Sequence, residues 1–177
     1  RGDRRDGHSN PGAPMTRLIT TFFYTGLLRP APGTWGSLAA LPAGWLLYMI
    51  GGPWTVLIAI VGVYFVGRWA VEVETAGAED KDPGHIVIDE VVGQWIALLP
   101  VFFGAAHTGA SFTALYPGWI AAFLLFRLFD IWKPGPVGKA DRRGGPTGVM
   151  LDDVWAGAFA ALGVILLAAL SHLVILR

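Results

Sequence analysis

The stretch FRLFDIWKPGP (residues 126–136) sets five apolar side chains, Phe126, Leu128, Phe129, Ile131 and Trp132, against charges at Arg127, Asp130 and Lys133. The charges recur every three residues, so on a helix they form one stripe, and Pro134 stops that helix just beyond the last of them. Ionisable groups on so apolar a helix are costly unless they stand at its polar end with work to do there. How the chain folds depends on whether lipid or a soluble core surrounds this stretch.

Composition favours lipid. Of the 177 residues 54% are apolar and only 15% charged, too few charges for an ordinary soluble domain of this size. The formal net charge is zero, which argues against a nucleic-acid partner. Cysteine is absent, which removes disulfides, thiolate metal sites and cysteine nucleophiles together. Chemistry has to come from carboxylates, histidines, hydroxyls and bases.

No Asp, Glu, Lys or Arg occurs between Arg29 and Arg68, between Glu90 and Arg127, or between Asp153 and Arg177. A crossing needs roughly 17–25 residues, so the first two blocks suit helical hairpins and the third a single span. Gly51-Gly52-Pro53 is the natural turn of the first block and the segment from Gly104 to Ser111 that of the second. Pro100 predicts that the segment from Val91 to Phe103 is a short, tilted or partial span. The expected fold is all-α: a polytopic membrane bundle of about five segments, or four, with a polar cleft on its cytoplasmic face. With the N-terminal arm inside, each inside loop carries Lys or Arg, the outside turns carry none, and all thirteen acidic residues share the inside face. Residues 15–177 read as one membrane-embedded catalytic domain. Residues 1–14, polar and Gly/Pro-rich ahead of Met15, read as a disordered extension or an expression remnant. No internal repeat or cleavable signal peptide is legible.

The loaded face collects acids from distant parts of the chain: Asp89 and Glu90 from HIVIDE, Asp130 from the opening stretch, Asp152 and Asp153 from LDDVWAG. If the spans bundle, these are hard oxygen donors suited to Mg²⁺, with Mn²⁺ as the variant. Around them stand Arg127, Lys133 and Arg142, suited to phosphate oxygens. Several converging carboxylates repel both one another and a phosphate, so the combination calls for a divalent cation and points to phosphoryl chemistry. Thr34 and Ser37, at the start of the first span in RPAPGTWGSL, add two hydroxyls and free helix N–H groups that form a phosphate nest. Plainer readings exist for each. Asp152-Asp153 reads also as a helix cap, Arg127 and Asp130 as an i, i+3 ion pair, Lys133 and Arg143 as topology signals, and Thr34 and Ser37 as caps. The acids from Glu72 to Asp82 read as a solvated loop.

Three blocks, PAPGTWGSLAALP (30–42), HIVIDEVVGQWIALLP (85–100) and FRLFDIWKPGPVGKADRRGGPTGVMLDDVWAG (126–157), together resemble the bacterial phosphatidylglycerophosphatase A family, in the same order and spacing. The resemblance covers about residues 26–163. It implies a multi-pass inner-membrane enzyme, Mg²⁺-dependent, that removes the terminal phosphate of phosphatidylglycerophosphate to leave phosphatidylglycerol, with the active site facing the cytoplasm and the acyl chains remaining in the surrounding lipid. The expected reaction is attack of a metal-activated water on phosphorus with Asp89 or Glu90 as base, Asp130 and Asp153 completing the catalytic set, and Arg142 or Lys133 offsetting charge; a covalent aspartyl-phosphate is the alternative. Two other classes compete. A cation- or proton-coupled transporter would place its charges in mid-span, whereas these spans are charge-free with acids at their ends. A non-enzymatic assembly subunit would have no use for five or more acids on one face.

Overall fold

The computed structural model describes residues 13–78, 80 and 82–175, and among them every regular element is helical. A short helix α1 (Ala13–Thr20) and a 3₁₀ turn (Thr25–Leu27) lead into α2 (Pro32–Glu74); α3 (Ile88–Thr108), a second 3₁₀ turn (Phe112–Leu115), α4 (Tyr116–Trp132), α5 (Pro136–Arg143) and α6 (Gly145–Ile175) follow. The boundary expected between residues 14 and 15 thus falls inside the first turn of α1, and residues 1–12 lie outside the described residues.

Three helices are long and apolar enough to cross a membrane: Pro32–Glu74, Ile88–Thr108 and Gly145–Val174. The first is bent back on itself. Gly51 and Gly52 leave helical geometry, Gly52 at φ 71, a left-handed conformation that glycine adopts without a Cβ penalty. Contacts confirm the reversal, because Gly36 lies against Val87 while Gly67, 31 positions on, lies against the next residue, Ile88. At 1.5 Å per residue a straight helix would hold these glycines roughly 45 Å apart. Along α3 the first arm runs parallel, with Gly44 at Trp95 and Tyr48 stacked on Phe102, and the second returns antiparallel from Trp54 at Phe103.

α3 is the central helix. Some 56% of its apolar window is buried, against 17% for α2 and 22% for α6, whose outer faces expose large side chains such as Ile58, Phe65, Leu166 and Leu170. An apolar surface of that extent belongs in lipid. α3 also departs from the expected break: it continues as a single helix from Ile88 through Pro100 to Thr108 and ends at Gly109, in the left-handed conformation. Packing surrounds the proline, with Phe102, Val101 and Ala97 buried on either side of it.

The closest approach in the bundle joins α3 to α6. A Cβ on Gly157 would lie 2.4 Å from the Gly93 carbonyl oxygen, and one on Gly93 would meet Phe126 at 2.4 Å and the Asp153 carbonyl oxygen at 2.7 Å. Small residues at such a crossing let two backbones touch, which is how helices associate where no hydrophobic drive separates them from lipid. Gly157→Ala forces two backbones apart, an overpacking cost of about 1–3 kcal/mol. We expect a lower thermal midpoint in detergent and a loss of activity at temperatures where the variant is still folded. A midpoint equal to that of the parent would show that this crossing is not tight.

Candidate active site

The crossing stands one helical turn from acids on both helices, since Asp89 precedes Gly93 by four residues and Asp153 precedes Gly157 by four. α3 and α6 both start at the polar end of the bundle, and the contact therefore brings Asp89, Glu90 and Asp153 together, each offering an oxygen within 4.8 Å of the others. Asp89 and Asp153 are buried, at 8% and 2% exposure. Asp89 Oδ1, Glu90 Oε2 and Asp153 Oδ1 are shielded from solvent and have no hydrogen-bond partner. Like charges this close, at low dielectric, are not stable together without protons or a cation.

The other two predicted acids are already engaged. Asp130 Oδ2 accepts from Arg127 Nη1 at 2.6 Å, the i, i+3 pair that the sequence allowed, while Asp130 also faces Asp153 closely enough to interact with it. Asp152 points away from Asp153, as neighbours on a helix must at about 100° per residue, and its Oδ2 accepts from Lys133 Nζ at 2.9 Å. The capping reading of the pair fails because α6 begins at Gly145, two turns earlier. Lys133 also bonds Asp141 of α5. Burial works against its charge, but the hydrogen bonds to Asp141 and Asp152 outweigh that and hold the ammonium above its usual range. Lys133 is thus a bracket between α4, α5 and α6.

Arg142 and Arg143 lie on the last turn of α5; Pro136 at its first turn and Gly144 after its end delimit that helix. The Arg142 guanidinium folds back over Gly138, next to the Lys133 turn, and Arg143 packs on Gly148. Arg142 has no carboxylate partner among the described residues, so it is a cation at this end available to an incoming anion. Ser37 is fully buried; its hydroxyl donates to the Gly33 carbonyl at 2.8 Å and accepts from Arg127 Nη1 at 3.4 Å. Thr34 is half-buried on the first turn of α2, which has no side-chain cap. Gly33 has a specific task. A Cβ there would sit 2.2 Å from Glu90 Oε1 and 3.2 Å from Arg127 Nη1, so the absence of a side chain makes room for the Glu90 carboxylate.

Sequence reading missed three polar groups. Gln94, fully buried with neither amide atom partnered, lies one turn beyond Glu90; a lone amide at i+4 from an acid in an apolar span was the signal. Glu74, counted among the solvated acids, accepts from Thr20 and bonds His85 Nε2 at 2.7 Å. Asp82 lies within electrostatic reach of Lys133, Asp141 and Asp130, and no local pattern marks it.

Comparison with known proteins places the chain in a family. The family model described as phosphatidylglycerophosphatase A matches residues 18–168. The chain belongs to the phosphatidylglycerophosphatase A family. It is 38% identical over 149 residues to the phosphatidylglycerophosphatase A of Haemophilus influenzae, covering 83% of this chain and 85% of that one. Against the protein of that name in Escherichia coli it is 35% identical over 152 residues, covering 81% and 78%. It is also 40% identical over 148 residues to a Bacteroides thetaiotaomicron protein provisionally named a phosphatidylinositol-3-phosphatase, covering 81% and 87%. No solved structure matches the chain.

Gly33→Ala separates site from scaffold. The group it displaces is the free end of a flexible side chain, so the thermal midpoint should change little, while activity should fall about tenfold or more as Glu90 is pushed out of the cluster. Unchanged activity would show that Glu90 does not act from the position it holds beside Gly33.

Proposed function

We propose that this protein is a lipid phosphatase of the bacterial inner membrane that hydrolyses the terminal phosphomonoester of phosphatidylglycerophosphate, yielding phosphatidylglycerol and phosphate. The observation that carries the reading is the trio of partnerless buried carboxylate oxygens on Asp89, Glu90 and Asp153, at the same bundle end as the unpaired Arg142. The donor set fits a hard divalent cation, Mg²⁺ or Mn²⁺, which Asp89, Glu90 and Asp153 would hold and which would neutralise charge and polarise the phosphoryl group. Arg142, reinforced by the Lys133 bracket, meets phosphoryl oxygens. Asp89 or Glu90 takes the proton from the attacking water at a carboxylate oxygen, and Asp130, held by Arg127, borders Asp153. Thr34, half-buried on the first turn of α2, is the hydroxyl offered to the phosphate, while the buried Ser37 supports Arg127.

The membrane arrangement that goes with this function has five crossings: the two arms of α2, then α3, α4 and α6. The polar cleft faces the cytoplasm. α4, at 17 residues, is just long enough for a tilted crossing. Acyl chains stay in the bilayer against the exposed apolar faces while the headgroup enters the cleft. The Bacteroides relative suggests a second headgroup, and its named substrate shares one feature with phosphatidylglycerophosphate: a phosphomonoester on an alcohol that a phosphodiester links to diacylglycerol.

Phosphate release by the purified protein, measured across phosphatidylglycerophosphate, phosphatidylinositol 3-phosphate and phosphatidic acid with Mg²⁺, Mn²⁺ or a chelator, tests the reading. The expected result is release from phosphatidylglycerophosphate that chelation abolishes and Mg²⁺ restores, with Asp153→Asn lowering turnover roughly a hundredfold or more. Release from the inositol lipid alone would reassign the substrate, and release from none would sink the proposal. For topology, single cysteines at Gly52 and Thr108 should label from the periplasm and one at Gly144 from the cytoplasm; labelling of all three from one side excludes five crossings.

A further inference from the structure

A cavity of about 450 Å³ opens at the same end of the molecule, outside the acidic trio, between the N-terminal segment and the loop before α3. Arg17, Arg29, His85, Gly26, Leu27 and Pro32 are among the residues that line it. Its size is that of a small-ligand site. No carboxylate lies within ion-pair distance of Arg17 or Arg29 among the described residues, although acids abound nearby. Two unpaired guanidiniums in one concavity form a site for an anion.

The walls are tied together. Val87 N–H donates to the Thr20 carbonyl at 2.8 Å, and a Cβ on Gly26 would lie 2.1 Å from the His85 carbonyl oxygen, so the segment from α1 to the 3₁₀ turn is packed directly on the loop before α3. Glu74, bonded by Thr20, holds His85 through Nε2 and leaves its other ring nitrogen uncommitted. Pro32 is part of the wall and the next residue, Gly33, is the one Glu90 leans on, so consecutive residues of α2 border the basic cavity and the carboxylate trio. Leu27, in the lining, is 44% exposed, and Phe23, four residues before it on the same N-terminal segment, is 70% exposed, apolar surface that suits a ligand carrying acyl chains better than a free soluble anion.

We infer that this cavity receives the phosphodiester of the lipid substrate, the phosphate between diacylglycerol and the alcohol that bears the monoester. The assignment rests on the proposed function and deepens it. A substrate with two phosphates poses two charge problems, and the molecule has two adjacent sites of opposite character. The monoester goes to the acids that call for a cation, and the diester, singly charged and not reacting, goes to Arg17 and Arg29. Phosphatidic acid, which has no diester, gains nothing from the basic cavity, so these arginines set headgroup selectivity.

The test compares the parent with Arg17→Ala, Arg29→Ala, the double variant and Arg29→Lys, each checked for an unchanged thermal midpoint. Kinetics on phosphatidylglycerophosphate are measured with inhibition by phosphatidylglycerol, which has the diester alone, and by inorganic phosphate, which lacks it. Loss of hydrogen bonds to a charged group corresponds to roughly ten- to a hundredfold. The double variant should therefore raise KM and the inhibition constant of phosphatidylglycerol by about that factor, with kcat falling less, inhibition by phosphate retained, and Arg29→Lys recovering part of the loss. Unchanged KM and unchanged inhibition by phosphatidylglycerol would overturn the assignment, as would an equal weakening of inhibition by phosphate, which would give the arginines to the monoester. If the parent releases no phosphate from phosphatidylglycerophosphate, the proposed function fails separately. Binding to phosphatidylglycerol against phosphatidylcholine vesicles then decides the cavity: arginine-dependent preference for the anionic vesicles upholds it, and no preference removes it.

Discussion

The near-contact of two backbones at Gly93 and Gly157 is the constraint on which the remaining geometry depends. It lets the backbones of α3 and α6 approach closely, and since both helices start at the same end of the bundle it also sets their relative height. Each carries its acid four residues earlier. The separation of Asp89 and Glu90 from Asp153 is therefore a consequence of helix packing, and two glycines with no chemistry of their own determine where the carboxylates meet. Phe126 of α4 presses on the same point, which places Arg127 and Asp130 at the edge of the cluster.

Electrostatics then divides five acids into two groups. Asp130 and Asp152 have a base each, Arg127 and Lys133, and are local and neutral; Asp89, Glu90 and Asp153 have oxygens with no base and no water-facing surface. A bundle built only for stability would gain from replacing three such acids with apolar residues, because an uncompensated buried charge costs several kcal/mol. Retaining them at the bundle end makes sense for a protein whose substrate and cation complete the charge balance. The Lys133 bracket has a second effect, since it docks the short polar helix α5, which carries Arg142, against α6.

The N-terminal segment is the third part of this arrangement. α1 and the 3₁₀ turn after it are too short to cross a membrane, and they lie on the loop that leads into α3 through a backbone hydrogen bond, a glycine contact and the Thr20–Glu74–His85 chain. That docking puts cations beside anions without letting them pair. Arg17 and Arg29 line the cavity together with Pro32, and the next residue, Gly33, lies against Glu90.

The sequence by itself determined the class of molecule and the end at which its charged residues gather. Charge-free blocks and the Gly-Gly-Pro turn follow from the cost of charge in lipid and from glycine's backbone freedom, both local rules that need no partner, and the three resembling blocks pointed to the family. The five acids, Arg127 and the loop bases were legible as residue types on one face. Which acids converge was decided only by tertiary structure, because Asp152 and Asp153 differ by a rotation of one helical residue and only the packing of α6 on α3 selects the one that faces inward. Lys133 and Asp141 are joined only when α5 folds as a helix, and Pro100 stays within α3 because its neighbours pack around it, the second against the local expectation. Gly33, Glu74 and the arginine cavity were out of reach for the same reason: each takes its role from a residue far away in the chain, and no local pattern carries that distance.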